Sequence, residues 1–228
     1  MLKNPFGQLN LREWVIWLVS LAAVLASNLA TGNVEPVTLC ATVIGVTALI
    51  FIARGDVWGQ ILTVLFSLLY SVTAWKFQYY GEIITYLGMS APIAAASVVT
   101  WLRNPYERGK NEVKIAHLSG RGLFLLSVLT AAVTAAFYFI LKALGTANLA
   151  ASTVSVTTSF LASALMMLRN SYYAVAYAAN DVVLIVLWIL ASFQDISYLP
   201  MVVNFLAFLV NDIYGFISWK QREKRQTE

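Results

Sequence analysis

Charged residues make up only 11% of the 228-residue chain, while 60% are apolar. A soluble domain carries about 25% charged residues, so this surface cannot be dressed for water and must face something else. An integral membrane protein is the reading that remains. Cysteine is nearly absent too: Cys40 stands alone, which excludes an intrachain disulfide and any multi-cysteine metal site. Histidine is equally scarce, and His117 has no second His or Cys near it in the sequence, so it reads as a solvated loop residue rather than a metal ligand. No metal, cofactor or catalytic group is called for. A cleaved leader is not expected either, because the first apolar stretch is too long and no small-residue cleavage site follows a short apolar core.

What the chain does have is a series of uncharged stretches. They cover 14–34, 36–53, 57–75, 83–102, 122–141 and 143–168, each close to the roughly 20 residues that cross the hydrocarbon as a helix. Two more, about 172–193 and 197–219, are as long but are interrupted by Asp181 and Asp212. The expectation is an all-α integral membrane protein of eight transmembrane helices, a single membrane domain over 1–228. With eight spans both termini share one side, and that side collects 13 of the 15 lysines and arginines, leaving Lys76 and Lys142 opposite. Basic residues gather in cytoplasmic loops, which puts both termini in the cytoplasm. The basic loop 103–121 and the tail 220–228 are then membrane anchors, and no nucleic-acid partner is needed.

Segments 36–102 and 153–219 share a layout of three helices. Arg54 and Arg169 close the first helix, Trp58 answers Tyr172 and Tyr173, Phe77-Gln78 answers Phe193-Gln194, and Trp101 answers Trp219. Three is an odd number, so two copies joined directly would be inverted, whereas one intervening helix makes them parallel. The layout is therefore an extra N-terminal helix (12–34), a first three-helix repeat (36–102), a linker helix (122–144), a second three-helix repeat (148–219) and a basic cytoplasmic tail (220–228). Parallel repeats of this kind bind substrate near the midplane between the halves.

An ionisable residue inside a spanning helix costs at least about 2.5–3.5 kcal/mol on insertion scales, so it marks function by default. Counting helical rise from Arg169 puts Asp181 about 15–18 Å deep, while Asp212 lies about 12 Å from the exit at Lys220. On the seventh span Tyr173, Tyr177, Asp181 and Trp188 share a face with Asn180 beside it; on the eighth, Asn204, Phe208, Asn211 and Gly215 share one that Asp212 borders. Tyr86 falls opposite Asn204 in the repeat register. The candidate substrate-binding residues are thus Tyr86, Tyr173, Tyr177, Asn180, Asp181, Trp188, Asn204, Asn211 and Asp212. Aromatic faces stack on flat rings and attract cations, amides offer donors and acceptors, and a carboxylate accepts from hydroxyls or neutralises a positive ring. The site suits a planar neutral or cationic heterocycle bearing a polyol. No lysine or arginine lies mid-membrane to hold a phosphate. Trp58, Tyr79, Tyr80, Trp101 and Trp219, near span ends, read as an interfacial aromatic belt. Gly45, Ala94 to Ala96, Ser152 and Ser155 read as small residues for close helix packing, and Pro92 and Pro200 as residues that kink or start helices.

Arg169-Asn170, Asn180-Asp181, Trp188, Met201, Asn204, the run Asn211-Asp212-Ile213-Tyr214-Gly215-Phe216, Trp219 with its basic tail, and Tyr80-Gly81-Glu82 together resemble the nicotinamide riboside transporters of the PnuC family. The resemblance implies a full-length relative of the SWEET sugar transporters that takes up nicotinamide riboside, the vitamin B3 form used for pyridine nucleotide synthesis. It implies facilitated diffusion by alternating access across a bacterial plasma membrane, with phosphorylation inside trapping the product. Members of that family often carry a Trp-x-x-Trp pair where this chain reads Tyr172-Tyr173-Ala174-Val175-Ala176-Tyr177. Stacking groups are kept, and a related vitamin or nucleoside such as thiamine, carried by uniport or with a proton on Asp181 or Asp212, is the alternative. An aspartyl protease is the third reading; it needs two carboxyls sharing a proton, and the two depths above set them apart. A homo-oligomer fits as well as a monomer.

Overall fold

The computed structural model describes residues 3–30, 36–76, 80–146, 148–193 and 195–228. Among them every long element is helical: α1 Leu11–Ala30, α2 Pro36–Ala53, α3 Val57–Lys76, α4 Tyr80–Thr85, α5 Ala91–Arg103, α6 Gly120–Ala143, α7 Leu149–Met167, α8 Tyr173–Ser192 and α9 Leu199–Thr227. A π-helical turn, Tyr86–Ser90, joins α4 to α5, and two isolated bridges, Asp56 with Glu112 and Pro105 with Val113, are the β-type pairings among the described residues. Among the described residues seven helical stretches are long and apolar enough to cross a membrane: α1, α2, Ile83–Arg103, α6, α7, α8 and α9. A shorter apolar stretch, Val57–Val72, lies in α3.

Composition does not separate the centre of the bundle from its edge. α2 and α6 are equally hydropathic, yet 56% of the apolar window of α2 is buried inside the protein and only 6% of that of α6. The difference is position: α2 packs on α1, α3 and α9, while α6 packs on α7 and turns Leu123, Phe124, Leu125, Val128, Leu129 and Phe139 outward. A helix apolar all round is stable in either place, because lipid accepts the same face that a protein core does.

Local chemistry explains where helices start and stop. Pro36 and Pro200 occupy the first turns of α2 and α9, where a missing N–H costs nothing. Pro92 lies just beyond the π turn; its absent N–H leaves an upstream carbonyl unpaired, and the widened turn absorbs the defect. Left-handed Gly145 (φ 67°) and Asn148 (φ 53°) separate α6 from α7, so the sixth expected span, α7, begins at Leu149 rather than at 143. α9 continues as a helix through the basic tail to Thr227. The Phe77-Gln78 side of one sequence echo, Gln194 in the other, and Tyr79 of the proposed belt lie outside the described residues.

At Gly59 the backbones of α2 and α3 lie directly against each other. A Cβ there would stand 2.6 Å from the backbone N of Ile52 and 3.0 Å from the carbonyl of Ala48, and backbone cannot step aside as a side chain can. Gly59→Ala is expected to cost about 1–3 kcal/mol by overpacking, read as a lower melting temperature in detergent; an unchanged melting temperature would show that the two helices can separate freely.

The end of the bundle that carries the basic residues is tied shut. Trp101 donates its indole N–H to the carbonyl of Met166 (3.1 Å) and Trp219 donates to that of Ile52 (2.8 Å). These carbonyls sit in the last turns of α7 and α2, where helix carbonyls lack intrahelical partners. The two indoles lie 5.6 Å apart, Tyr173 stacks edge-on against Trp219 at 4.7 Å, and Gln60 hydrogen-bonds to the sulfur of Met166. Trp101 and Trp219 are 2% and 0% exposed, so they do not belong to an interfacial belt; their rings form a plug at the basic end of the bundle. Over this plug Arg54 pairs with buried Glu13 (2.5 Å), Arg222 with Glu112 (2.8 Å), and Arg225 also with Glu112. Asp56 sits in the α2–α3 turn beneath loop 104–119; burial raises its carboxyl above the usual range, and the Trp58 N–H and Asn111 amide pull the other way.

Candidate functional site

Beyond the plug the bundle opens into a cavity of about 590 Å³ lined by α2, α3, the π turn, α7, α8 and α9. Its lining begins near Ile52, Met166 and Ser163 and runs to Leu144, Thr146, Ala191 and Tyr198 at the opposite end of the bundle. The volume is in the range that holds a drug-sized ligand.

The cavity has walls of different chemistry. One carries Phe66, Tyr70 and Tyr86, with Tyr70 and Tyr86 rings 4.4 Å apart and Phe66 and Tyr86 rings 5.7 Å apart. The π turn begins at Tyr86 and so sets that ring against the two from α3. Another wall, from α7, α8 and α9, is polar. Ser155 donates to Asn180 Oδ1 at 2.9 Å, Thr158 Oγ1 lies 3.0 Å from the same oxygen, and the hydroxyls of Ser163 and Tyr177 are 2.8 Å apart. The carboxyls of Asp181 and Asp212 lie beside each other in the cavity. Asp181 Oδ2 is buried and has no protein partner. Among the described residues no lysine, arginine or histidine lines the cavity.

Six of the nine residues expected from the sequence line this space: Tyr86, Tyr177, Asn180, Asp181, Trp188 and Asp212. Three lie elsewhere. Tyr173 is in the plug, its hydroxyl 3.0 Å from where a Cβ on Gly215 would stand. Asn211 turns to α1, where its amide donates to Ser20 at 2.9 Å and to the carbonyl of Ala207 at 2.8 Å. Asn204 is buried with its amide 3.9 Å from the sulfur of Met201. The cavity face of α9 is Phe205, Phe208 and Asp212, one step around from the face drawn through the asparagines; α9 packs on α1, α2 and α8, and its polar groups are shared among them.

The two acids are also level, not offset. Arg169 is not the start of a helix: it is a left-handed residue (φ 60°) in the turn after α7, and α8 begins at Tyr173. Counted from there Asp181 is eight residues in, about 12 Å, the same depth as Asp212. The serines of α7 give no site signal in the sequence, where Ser152 and Ser155 read only as packing residues, although Ser152, Ser155, Ser159 and Ser163 recur every three or four residues along one face. Ser152 and Ser155, together with Gly45, line the cavity as well as easing packing. Phe66, Ser67 and Tyr70 gave no signal beyond ordinary apolar composition.

A profile of the nicotinamide mononucleotide transporter family matches residues 35–221. A nicotinamide riboside transporter PnuC of Neisseria mucosa is 24% identical over 217 residues, 93% of this chain and 82% of that protein. Another, from Haemophilus influenzae, is 24% identical over 79% of this chain and 77% of its own. A crystal structure of a vitamin B3 transporter, PnuC, superposes with a TM-score of 0.81 at 23% identity, covering 96% of this chain and 95% of that one, so the fold is shared end to end. The match over most of the length, on a helical bundle enclosing an acid-bearing cavity, identifies the chain as a multi-pass membrane protein of the nicotinamide mononucleotide transporter family.

Proposed function

We propose that this transporter carries nicotinamide riboside into a bacterial cell across the plasma membrane by facilitated diffusion, with both termini in the cytoplasm. The observation that carries the choice of substrate is the charge of the cavity: two aspartates and, among the described residues, no cation. A pyridinium ring is positive and finds neutralising carboxyls and an aromatic wall; the added phosphate of the mononucleotide would meet those carboxyls at low dielectric with nothing to hold it. The protein is a transporter rather than an enzyme, so the carboxyl pair serves ligand binding and not a protease dyad.

Alternating access is read from the repeat. The segments 36–102 and 148–219 would rock about the bound ring, and two reciprocal ties support that symmetry: the tryptophan closing each triplet caps the first helix of the other. Gly55 and Arg169, the left-handed residues after those first helices, each accept a backbone N–H from loop 104–119, from Val113 and Ala116 at 2.9 Å. With the basic end inside, the plug closes the cytoplasmic face and the described conformation faces outward.

Purified protein titrated with nicotinamide riboside, nicotinamide mononucleotide, nicotinamide, thiamine and uridine, followed by tryptophan fluorescence, tests the substrate. The riboside should bind at least about 100-fold more tightly than the mononucleotide, a difference of about 2.7 kcal/mol. Equal or tighter binding of the mononucleotide would overturn the reading. Flux into liposomes without any ion gradient tests the driving force. The contact between Asp181 and Asp212 favours a proton-linked carrier as the second reading, and uptake insensitive to an imposed pH gradient would remove it.

A further inference from the structure

Hydroxyls on the spanning helices mostly satisfy themselves. Thr63 donates to the carbonyl of Gly59, Ser71 to Ser67, Ser97 to Ile93 and Thr157 to Thr153, each four residues back and 2.7–2.9 Å away. Ser67 breaks the pattern. Its side chain is fully buried and its Oγ has neither the carbonyl four residues back nor any other partner. A buried hydroxyl left in that state loses the hydrogen bonds water would give it, and the loss is recovered only when something else supplies a partner. Ser67 lines the cavity on α3 between Phe66 and Tyr70, within the aromatic wall. The other cavity-lining atom in this condition is Asp181 Oδ2, on α8.

We propose that Ser67 is a ligand-binding residue: its hydroxyl hydrogen-bonds a sugar hydroxyl of the substrate while Asp181 Oδ2 accepts from another, so that the polyol ties α3 to α8. The geometry suits a glycoside whose flat ring lies against Phe66, Tyr70 and Tyr86. A serine beside a stacking surface is placed to meet the sugar once the ring is seated, and the two unpartnered oxygens lie on helices that belong to different triplets. The sugar, rather than the ring, then draws the triplets together. This rests on the riboside reading above and adds to it the group that reads the sugar.

The test is a set of titrations of wild-type and Ser67→Ala protein with nicotinamide riboside, its 2′-deoxy and 3′-deoxy analogues, and nicotinamide, alongside melting temperatures without ligand. Ser67→Ala should weaken riboside binding about three- to tenfold, leave nicotinamide binding unchanged, and leave the melting temperature unchanged or higher. One deoxy analogue should bind both proteins equally, which identifies the hydroxyl that Ser67 meets. Equal riboside affinity of the two proteins, or equal weakening of riboside and nicotinamide, would overturn the proposal while leaving the transporter reading intact. Failure of the wild-type protein to bind the riboside would overturn both. Ser67→Cys, nearly the same shape with a poor donor, gives the same comparison where the alanine variant does not express.

Discussion

Asp181→Ala is expected to weaken nicotinamide riboside binding by about 30-fold or more, because removing one member of a buried charged or charge-assisted contact costs about 2–5 kcal/mol. Asp181→Asn should show the same direction with its shape preserved. Neither variant should lower the melting temperature. Asp181 is 3% exposed, lies beside another acid, and leaves Oδ2 without a protein partner, so the folded protein loses little when it goes and is relieved of a costly buried acid. Binding lost while stability is kept is the pattern of a residue maintained for a ligand. Riboside affinity within threefold of wild type in both variants, measured by tryptophan fluorescence, would show that the acid pair is structural.

Trp219→Ala is expected to do the opposite, costing about 3–5 kcal/mol of stability. The indole is wholly buried, caps the carbonyl of Ile52, and packs against both Trp101 and Tyr173. Its removal leaves a void, takes one of two donors from the Ile52 carbonyl, which keeps the Gly55 N–H, and breaches the plug. Trp219→Phe should recover most of the packing but not the hydrogen bond, and so fall between the two. Thermal unfolding in detergent ranks the three proteins. An alanine variant as stable as wild type would mean the plug is not the rigid closure described, and that the basic end is held by the Arg54–Glu13 and Arg222–Glu112 pairs alone.

Two kinds of error separate the sequence reading from the structure, and both come from ideal helices. Helical rise from Arg169 overstates the depth of Asp181, because the chain turns there through a left-handed residue and α8 starts four residues later; that four-residue difference parts two acids that lie side by side. Faces were drawn through whichever polar residues aligned, yet α9 is packed on several sides, so Asn211 answers Ser20 of α1 while Asp212 answers Asp181. Periodicity reports that residues share a face and is silent on what the face meets. The tryptophans failed for a related reason: a ring near a span end is as compatible with a buried plug as with the lipid interface, and only the neighbouring helix distinguishes them.

Membrane residence and the helical fold class were settled by the sequence alone, since a chain with so little charge and repeated runs of about 20 apolar residues has no other way to satisfy its backbone. The sequence alone also singles out Asp181 and Asp212 as candidates, because the cost of an acid at that depth does not depend on which helix is adjacent. Tertiary packing decided what the sequence left degenerate: which equally apolar helix is central, which face of α9 lines the cavity, and how Phe66, Ser67 and Tyr70, unremarkable as letters, come to line it too. Those choices rest on contacts between helices far apart in the chain, and hydropathy carries no record of them.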